Sequence, residues 1–492
     1  MPVDRLKNYI AGEWRESKTS DYLDVVNPTT DKAIARVPMS TAADVTAAVA
    51  AARGAFQEWR ETPPTTRIQY LFRLKELMEQ RFEDIARTIT TENGKTIDEA
   101  RGETRRTIEN VEVATGITSL MMGTNLEDVA RGIDEEIVRQ PMGAFAVIAP
   151  YNFPSMVPWW FAPYAMATGN TYIVKPSEQV PLTQSIIFEL VHELDLPPGV
   201  MNLVHGGREV VDALINSPGI AGISSVTSTP VAKAIYTAAT ATGKRAQCQA
   251  GAKNFIVIMP DADIGKAIPA LLTSCYGCAG QRCLAGAVLI AVGDAHAALR
   301  DRFVEAARKI KVGDPLDETT DVAALIDEKE TERVKAWVAE ALDQGATLAT
   351  GGIDDDGGLR PTVLTDVTRD MKVCAREIFG PVLAVTKARD ICEAIEISND
   401  SEFGLQAGIF TRDLNKALYA ARHLEVGGVM VNEVPTFRVD HMPYGGIKSS
   451  GMGREGVRFA LAEMTELKMV MIREMDWGSP GSPLAACRRE GM

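Results

Sequence analysis

The stretches Ala144-Phe-Ala-Val-Ile-Ala149 and Thr171-Tyr-Ile-Val-Lys175 decide the fold, because each is a short apolar run that leads into a segment of helical periodicity. The same alternation continues with strands predicted at 201–204 and 222–226, and with helices predicted at 155–168, 182–193, 208–216 and 230–242. Strands that alternate with helices predict an α/β fold, with a mostly parallel sheet covered by helices on both faces. Ligands bind such sheets where the carboxyl ends of strands meet helix N-termini.

A second α/β series is predicted from Lys253 to about residue 440, with a charged helix at 328–344 and a strand at 426–431. The pattern from 41 to about 124 is helical, and it includes one long helix from Thr96 to Met121. A chain of 492 residues is too long for one ordinary core, so two or three domains are expected. The turn-rich tail at 478–492 is predicted to be disordered.

The composition narrows the class of protein. The chain has 52 basic and 66 acidic residues, and this net charge of −14 argues against nucleic acid or an anionic membrane as a partner. No apolar run reaches the length of a membrane span, and the N-terminus lacks a signal-peptide core. Seven cysteines in this length do not suggest a disulfide scaffold. We therefore expect a cytoplasmic protein.

The segment Gly280-Gln-Arg-Cys-Leu-Ala285 surrounds Cys283 with glycine and small residues, so that a substrate could approach its thiol closely. Arg282 would favour the nucleophilic thiolate, or it could hold a substrate carboxylate. A buried structural cysteine is the alternative. Cys275, Cys278 and Cys283 form a C-x2-C-x4-C cluster, but no second CxxC or histidine pair offers the fourth ligand that a zinc site needs, so no metal is predicted.

Polar residues follow several of the predicted strands. Asn152 could direct its amide at a developing oxyanion, and Lys175 with Glu178 could hydrogen-bond ribose hydroxyls. Gly207 and Ser228 each open a helix after a strand, where backbone N–H groups favour a phosphate. Ordinary turns, exposed charges and helix caps are the alternatives at these positions.

Five motifs in order resemble the aldehyde dehydrogenase superfamily over nearly the whole chain. They are Pro150-Tyr-Asn-Phe-Pro154, Lys175-Pro-Ser-Glu178, Gly280-Gln-Arg-Cys283, Glu377-Ile-Phe-Gly-Pro381 and Pro443-Tyr-Gly-Gly-Ile-Lys-Ser-Ser-Gly451. The resemblance implies a Rossmann-like NAD-binding domain at 1–119 and 141–250 and an α/β catalytic domain at 251–440. It also implies a small oligomerisation domain built from 120–140 and 457–475, in a homodimer or homotetramer.

The resemblance also implies roles for single residues. Cys283 would be the nucleophile, and Asn152 with the backbone N–H of Cys283 would form the oxyanion hole. Lys175 and Glu178 would hold the adenosine ribose, and Glu178 would repel the 2′-phosphate of NADP, which favours NAD. The predicted cofactor contacts are Pro150, Lys175, Glu178, Gly207, Ser228, Glu377, which would bind the nicotinamide ribose, and Phe379, which would pack near the nicotinamide ring.

One departure from the family pattern is informative. Most members have Glu-Leu-Gly-Gly-Lys upstream of the cysteine, whereas this chain has Gln249-Ala-Gly-Ala-Lys253. An amide cannot take a proton at neutral pH, so the thioester would lack the base that activates water. The chain resembles one branch with this change, the methylmalonate-semialdehyde dehydrogenases. That branch passes its acyl group to coenzyme A with loss of CO2 and binds the substrate carboxylate with two arginines, which fall on Arg106 and Arg282.

Two other functions stay open at this point. The first is a hydrolytic aldehyde dehydrogenase for another small aldehyde, such as lactaldehyde or succinate semialdehyde, in which a different residue activates water. The second is a non-catalytic binding protein that kept the fold. The presence of both Cys283 and Asn152 speaks against the second.

Overall fold

The computed structural model describes residues 4–355 and 357–473. The predicted tail at 478–492 lies outside these residues, and so do the last two positions of the predicted segment 457–475. None of the helices in the described part combines the length and the hydropathy that crossing a membrane requires.

The first sheet has eight strands. In sheet order they are Glu13–Arg15, Asn8–Ile10, Met201–Leu203, Thr171–Lys175, Ala144–Ile148, Ile220–Val226, Arg245–Gln249 and Gly451–Met452. The five strands between the second and the last of these are parallel to one another, and the outer strands are antiparallel to their neighbours. The mostly parallel sheet expected from the sequence is therefore confirmed.

The central strand Ala144–Ile148 explains why this sheet needs cover on both sides. All five of its residues are buried. Phe145 and Val147 join one hydrophobic cluster, while Ala146 and Ile148 join a second cluster on the opposite face. Side chains alternate across a strand, so an entirely apolar strand must be packed from both faces, and helices provide that packing.

The second sheet has seven strands, of which all but the first are parallel. In sheet order they are Thr347–Ile353, Leu359–Thr365, Val382–Ala388, Gly286–Val292, Asn254–Ile258, Gln406–Phe410 and Gly428–Val431. A separate hydrophobic cluster surrounds this sheet. Two further antiparallel pairs join Tyr22–Asn27 to Lys32–Pro38 and Phe403–Gly404 to Ile447–Lys448.

The helices connect and cover these strands. Those of the N-terminal half are Ala42–Glu61, Pro64–Gln80, Phe82–Asn93, Ile97–Thr115, Ile117–Leu120, Met156–Trp159, Ala162–Thr168, Leu182–His192, Arg208–Asn216 and Thr229–Ala241. Those of the C-terminal half are Ile264–Tyr276, Ala295–Ala307, Glu328–Asp343, Lys372–Ala375, Ile391–Asn399, Leu414–His423 and Val457–Met464, with a 3₁₀ turn at Gly277–Gly280.

Two helices predicted as continuous are each divided. The predicted helix from Thr96 to Met121 ends at Thr115, where the Gly116 N–H donates to the Val113 carbonyl and interrupts the i to i−4 ladder. The predicted helix at 155–168 is two short helices. Pro163, near the start of the second, has no N–H to donate and cannot continue the preceding turn.

A third, antiparallel sheet contains three strands, Thr465–Arg473, Ile133–Pro141 and Thr124–Ala130, in this order. They come from the two segments for which an oligomerisation role is predicted. Several large apolar side chains of this sheet are exposed, namely Leu126, Val138, Leu467, Met469 and Ile472. In isolation, such an apolar surface is costly in water.

Candidate active site

The loop that carries Cys283 has an unusual backbone. Cys278 and Ala279 adopt the left-handed conformation with φ of 53° and 52°, and Gly280 follows with φ of 73°. A Cβ atom at Gly280 would lie 2.1 Å from the Gly380 carbonyl oxygen, so only glycine lets the two segments approach. Left-handed residues of this kind cluster at functional sites because the surrounding structure must hold them.

Cys283 is partly exposed at the bottom of a cavity. Its Sγ lies 3.0 Å from the Tyr444 hydroxyl, and Asn254 Nδ2 donates to the Cys283 carbonyl at 2.8 Å, which fixes the loop. Burial raises the pKa of the Cys283 thiol to about 11, while the Tyr444 hydrogen bond and the charge of Arg282 act in the opposite direction. Tyr444 and Arg282, which act to lower the pKa of the thiol, therefore favour its nucleophilic thiolate form.

Asn152 is buried beside the same loop. Its Nδ2 donates to the Gln281 carbonyl at 2.9 Å, two residues before the thiol. One amide hydrogen is used in this contact, which orients the side chain and leaves the second hydrogen free to donate. Within the described residues, the backbone N–H of Cys283 has no acceptor. These two donors fit the stabilisation of an oxyanion.

A buried ion pair holds the Asn152 segment in place. Lys95 Nζ lies 2.6 Å from Glu103 Oε2, and the two side chains are 1% and 0% exposed. Lys95 also donates to the Asn152 carbonyl at 2.7 Å, and the other Glu103 oxygen accepts the N–H groups of Ser155 and Met156. The pair thus holds the chain at Asn152 itself and at Ser155 and Met156, which follow it.

We expect Lys95→Met to destabilise the protein by about 3–5 kcal/mol, because the Glu103 carboxylate would stay buried without its cation. The free energy of unfolding would be measured by denaturant titration. Lys309→Met is the matched control. It removes the exposed ion pair with Glu305, and exposed pairs contribute little. Equal stability of the two variants would show that the buried pair does not clamp this segment.

The cavity above Cys283 has a volume of about 490 Å³. Its lining includes both predicted substrate arginines, Arg106 and Arg282, together with Arg438, Trp160 and Tyr444. The charge of Arg106 is already compensated, since its guanidinium contacts Glu109 at 2.7 Å and Asp440 at 3.0 Å. Arg282 forms no ion pair within the described part of the chain, and its positive charge acts to lower the pKa of the Cys283 thiol.

Five of the seven predicted cofactor residues lie along one edge of the first sheet. Lys175 ends one strand and Pro150 follows its neighbour, while Gly207 and Ser228 precede the helices Arg208–Asn216 and Thr229–Ala241. Lys175 Nζ contacts Glu178 Oε2 at 2.9 Å, so the two side chains face each other at this edge. The edge is the carboxyl end of parallel strands, where nucleotides bind in folds of this kind.

Glu377 and Phe379 are the other two predicted cofactor residues, and they belong to a segment that contacts both the Cys283 loop and the Asn152 turn. Burial raises the pKa of Glu377 to about 7, against the effect of the Ala252 N–H, which donates to its Oε1 at 3.0 Å. Phe379 has φ of 50°, and its ring packs edge-on against Tyr151 with the ring centroids 6.0 Å apart. The segment from 377 to 381 therefore lies between the Cys283 loop and the Asn152 turn.

Gln249 ends the strand Arg245–Gln249 and is 2% exposed. Neither polar atom of its side chain has a hydrogen-bond partner in the described residues. A Cβ atom at Gly445 would lie 3.2 Å from Gln249 Nε2, so this amide is close to the residue that follows Tyr444. The position predicted to lack a base thus holds a buried amide that is unpaired within the described residues.

Several residues of the site escaped the sequence analysis. Lys95, Glu103 and Trp160 carry no motif that would single them out: Lys95 directly precedes the helix predicted from Thr96, and Glu103 is one of several charged residues on that helix. Tyr444 lies within a family motif, and that motif was the one sequence feature that could have indicated its place in the site. In the residues 4–355 and 357–473, no group of three or more His, Cys, Asp or Glu side chains is arranged to hold a metal ion.

Known proteins match this chain over nearly its full length. A model of the aldehyde dehydrogenase family matches residues 14–470. Malonate-semialdehyde dehydrogenase 2 of Geobacillus thermodenitrificans (strain NG80-2) is 41% identical over 481 residues, which cover 95% of this chain and 99% of that protein. The solved structure of methylmalonate-semialdehyde dehydrogenase from Oceanimonas doudoroffii is 37% identical with a TM-score of 0.93, covering 96% of this chain and 99% of that one.

A Sinorhizobium meliloti 1021 protein, described as a methylmalonate-semialdehyde dehydrogenase and solved with NAD, gives a TM-score of 0.94 at 34% identity, covering 96% of this chain and 99% of that chain. The matches confirm the fold that the resemblance implied. The chain belongs to the aldehyde dehydrogenase family.

Proposed function

We propose that this enzyme oxidises malonate semialdehyde or methylmalonate semialdehyde with NAD, transfers the acyl group from Cys283 to coenzyme A and releases the substrate carboxylate as CO2. The observation that carries the proposal is Gln249, a buried amide at the position where most of the family has a carboxylate. An amide cannot accept the proton of an attacking water molecule. The names of the relatives support the choice of substrate.

In this proposal the Cys283 thiolate attacks the aldehyde carbon and forms a carbon–sulfur bond. Asn152 Nδ2 and the Cys283 N–H donate to the oxygen that becomes negative, which is the contribution of an oxyanion hole. NAD, when bound, supplies the two-electron oxidant that converts the adduct to a thioester. The carbon–carbon bond to the substrate carboxylate then breaks, CO2 leaves, and the electron pair left on the α-carbon takes up a proton. The thiol of coenzyme A finally replaces the sulfur of Cys283 at the acyl carbon, and its proton goes to the released thiolate.

Residues at the sheet edge fit a dinucleotide. Gly207 opens a helix with no side chain to obstruct a phosphate, and Ser228 opens the next helix. Lys175 and Glu178 present a charged pair that can hydrogen-bond ribose hydroxyls. We propose that these residues, with Pro150, hold the adenosine half of NAD. Glu377 and Phe379 would hold the nicotinamide half, beside the Cys283 loop.

We propose Arg282 as the principal anchor of the substrate carboxylate, because its charge is free of an ion pair within the described residues. Arg106 could join it only by exchanging Asp440 or Glu109 for the substrate. A hydrogen bond to a charged group contributes about 1.5–3 kcal/mol, so an aldehyde without the carboxylate should lose about 10- to 10²-fold in kcat/KM.

The three-stranded sheet is proposed as the contact with a second copy of this chain, in a homodimer or homotetramer. Its exposed apolar side chains, among them Leu467 and Met469, support this role. We propose the domain boundaries that the family resemblance implies, with 1–119 and 141–250 for NAD binding and 251–440 for catalysis.

The test is NADH formation with and without coenzyme A, over malonate, methylmalonate and succinate semialdehydes, lactaldehyde and propanal. Without coenzyme A we expect a burst of about one NADH per subunit, because the thioester accumulates. With coenzyme A, malonate semialdehyde should turn over repeatedly and give acetyl-coenzyme A and CO2 in equal amounts. Sustained NADH formation with free acid in the absence of coenzyme A would support a hydrolytic enzyme instead.

A further inference from the structure

Tyr444 brings a phenol hydroxyl to the nucleophile. Its Oη lies 3.0 Å from Cys283 Sγ, and the side chain is 1% exposed. In the described part of the chain, the Sγ atom is the one hydrogen-bond partner of this hydroxyl. The phenol hydrogen therefore has no competing acceptor among these residues, and it is available to the sulfur.

Two neighbours hold the Tyr444 ring in this position. Trp160 packs against it with the ring centroids 5.4 Å apart, and the Arg438 guanidinium lies 4.7 Å from the Tyr444 centroid and 3.9 Å from that of Trp160. Arg438 is itself held by Glu455 at 3.4 Å. A cation over an aromatic face draws electron density from the ring, which makes the phenol a better hydrogen donor.

The direction of the hydrogen bond depends on the state of the thiol. A neutral thiol and a phenol can each donate, but a thiolate has no hydrogen, so Tyr444 must donate whenever Cys283 is nucleophilic. Hydrogen bonds to an ionised acceptor are about twice as strong as neutral ones. We propose that Tyr444 is a catalytic residue whose hydroxyl stabilises the Cys283 thiolate and fixes the sulfur for attack.

Burial and two nearby carboxylates disfavour the Cys283 thiolate, so the hydrogen bond from Tyr444 is needed to offset them. Burial raises the pKa of the Cys283 thiol, and the carboxylates of Glu377 and Glu455 act in the same direction. Arg282 opposes them, and the Tyr444 hydrogen bond opposes them more strongly. The inference depends on Cys283 as the nucleophile of the family but not on coenzyme A as the acyl acceptor.

The test is Tyr444→Phe, which keeps the ring contacts with Trp160 and Arg438 and removes the hydroxyl. Alkylation of Cys283 by iodoacetamide, measured on the Cys283 peptide by mass spectrometry from neutral to alkaline pH, follows the thiolate fraction. We expect the thiol pKa to rise by about one unit, so that the alkylation rate at any pH below it falls about tenfold. No aldehyde or coenzyme A is present, so the result is independent of the substrate proposal.

Tyr276→Phe is the matched control, because the Tyr276 hydroxyl is also buried and donates to the Thr362 carbonyl at 3.1 Å, without contacting the thiol. It should leave the alkylation profile unchanged. An unchanged or faster alkylation of Cys283 in Tyr444→Phe would overturn the proposal. An equal loss in both variants would do so as well, because the effect would then not depend on contact between the hydroxyl and the thiol.

Discussion

Cys283→Ala is expected to abolish NADH formation, with kcat/KM lowered by at least about 10⁴-fold, because no covalent adduct can form without the sulfur. The change removes one partly exposed atom and leaves the loop backbone, the Asn254 hydrogen bonds and the Asn152 contact with Gln281 intact. The variant should therefore fold and bind NAD as the parent enzyme does. Absorbance of NADH measures the reaction, and quenching of tryptophan fluorescence measures cofactor binding.

Cys278→Ala is the matched control for this result. Cys278 lies in the same loop and lines the same cavity, and burial raises the pKa of its thiol to about 11 as well. Its substitution should leave NADH formation within a few-fold of the parent enzyme. If Cys283→Ala retained more than about 1% of the activity, or if Cys278→Ala were the inactive variant, the assignment of the nucleophile would be wrong.

Much of the fold could be predicted from local sequence. The strand Ala144–Ile148 is apolar throughout, and Thr171–Lys175 has an apolar centre between Thr171 and Lys175. Turn residues follow both strands, so their type, their parallel order and the edge that carries Lys175 could be predicted from the pattern. The helix boundaries were less predictable. The breaks after Thr115 and before Ala162 depend on hydrogen-bond geometry and on a proline. In the sequence, an otherwise continuous helical pattern hides both of them.

Candidate site residues could be predicted where the residue type alone indicates the chemistry. The residue types alone offer a thiol at Cys283 and an amide donor at Asn152, and the structure places the Asn152 amide against the loop that carries Cys283. The partners of Arg106 were not predictable, because Asp440 lies 334 residues away in sequence and meets it only through tertiary packing. The Tyr444 contact with the thiol escaped notice for the same reason, being 161 residues away.

Gln249→Glu is expected to give the enzyme hydrolytic turnover that needs no coenzyme A. Glutamate has the same shape as glutamine, so it can take the place of the buried Gln249 side chain without repacking. Burial raises the pKa values of Glu377 and Glu455 to about 7 and about 8, and the introduced carboxyl should titrate in the same range. A base in this range accelerates the attack of water by about 10²–10⁴-fold, measured as free acid and sustained NADH in the absence of coenzyme A.

The rate of hydrolysis by the Gln249→Glu variant and its stability should change with pH in opposite directions. Only the ionised carboxylate accepts a proton, so hydrolysis should increase as pH rises through the raised pKa. The stability of the variant relative to the parent should fall as pH rises from the ordinary glutamate pKa of about 4.3 up to the raised pKa, because the folded state binds that proton more tightly than the unfolded state does. Gln249→Met fills the same space without a base and should stay dependent on coenzyme A. If Gln249→Glu also needed coenzyme A for turnover, the missing carboxylate would not be what excludes water as the acyl acceptor.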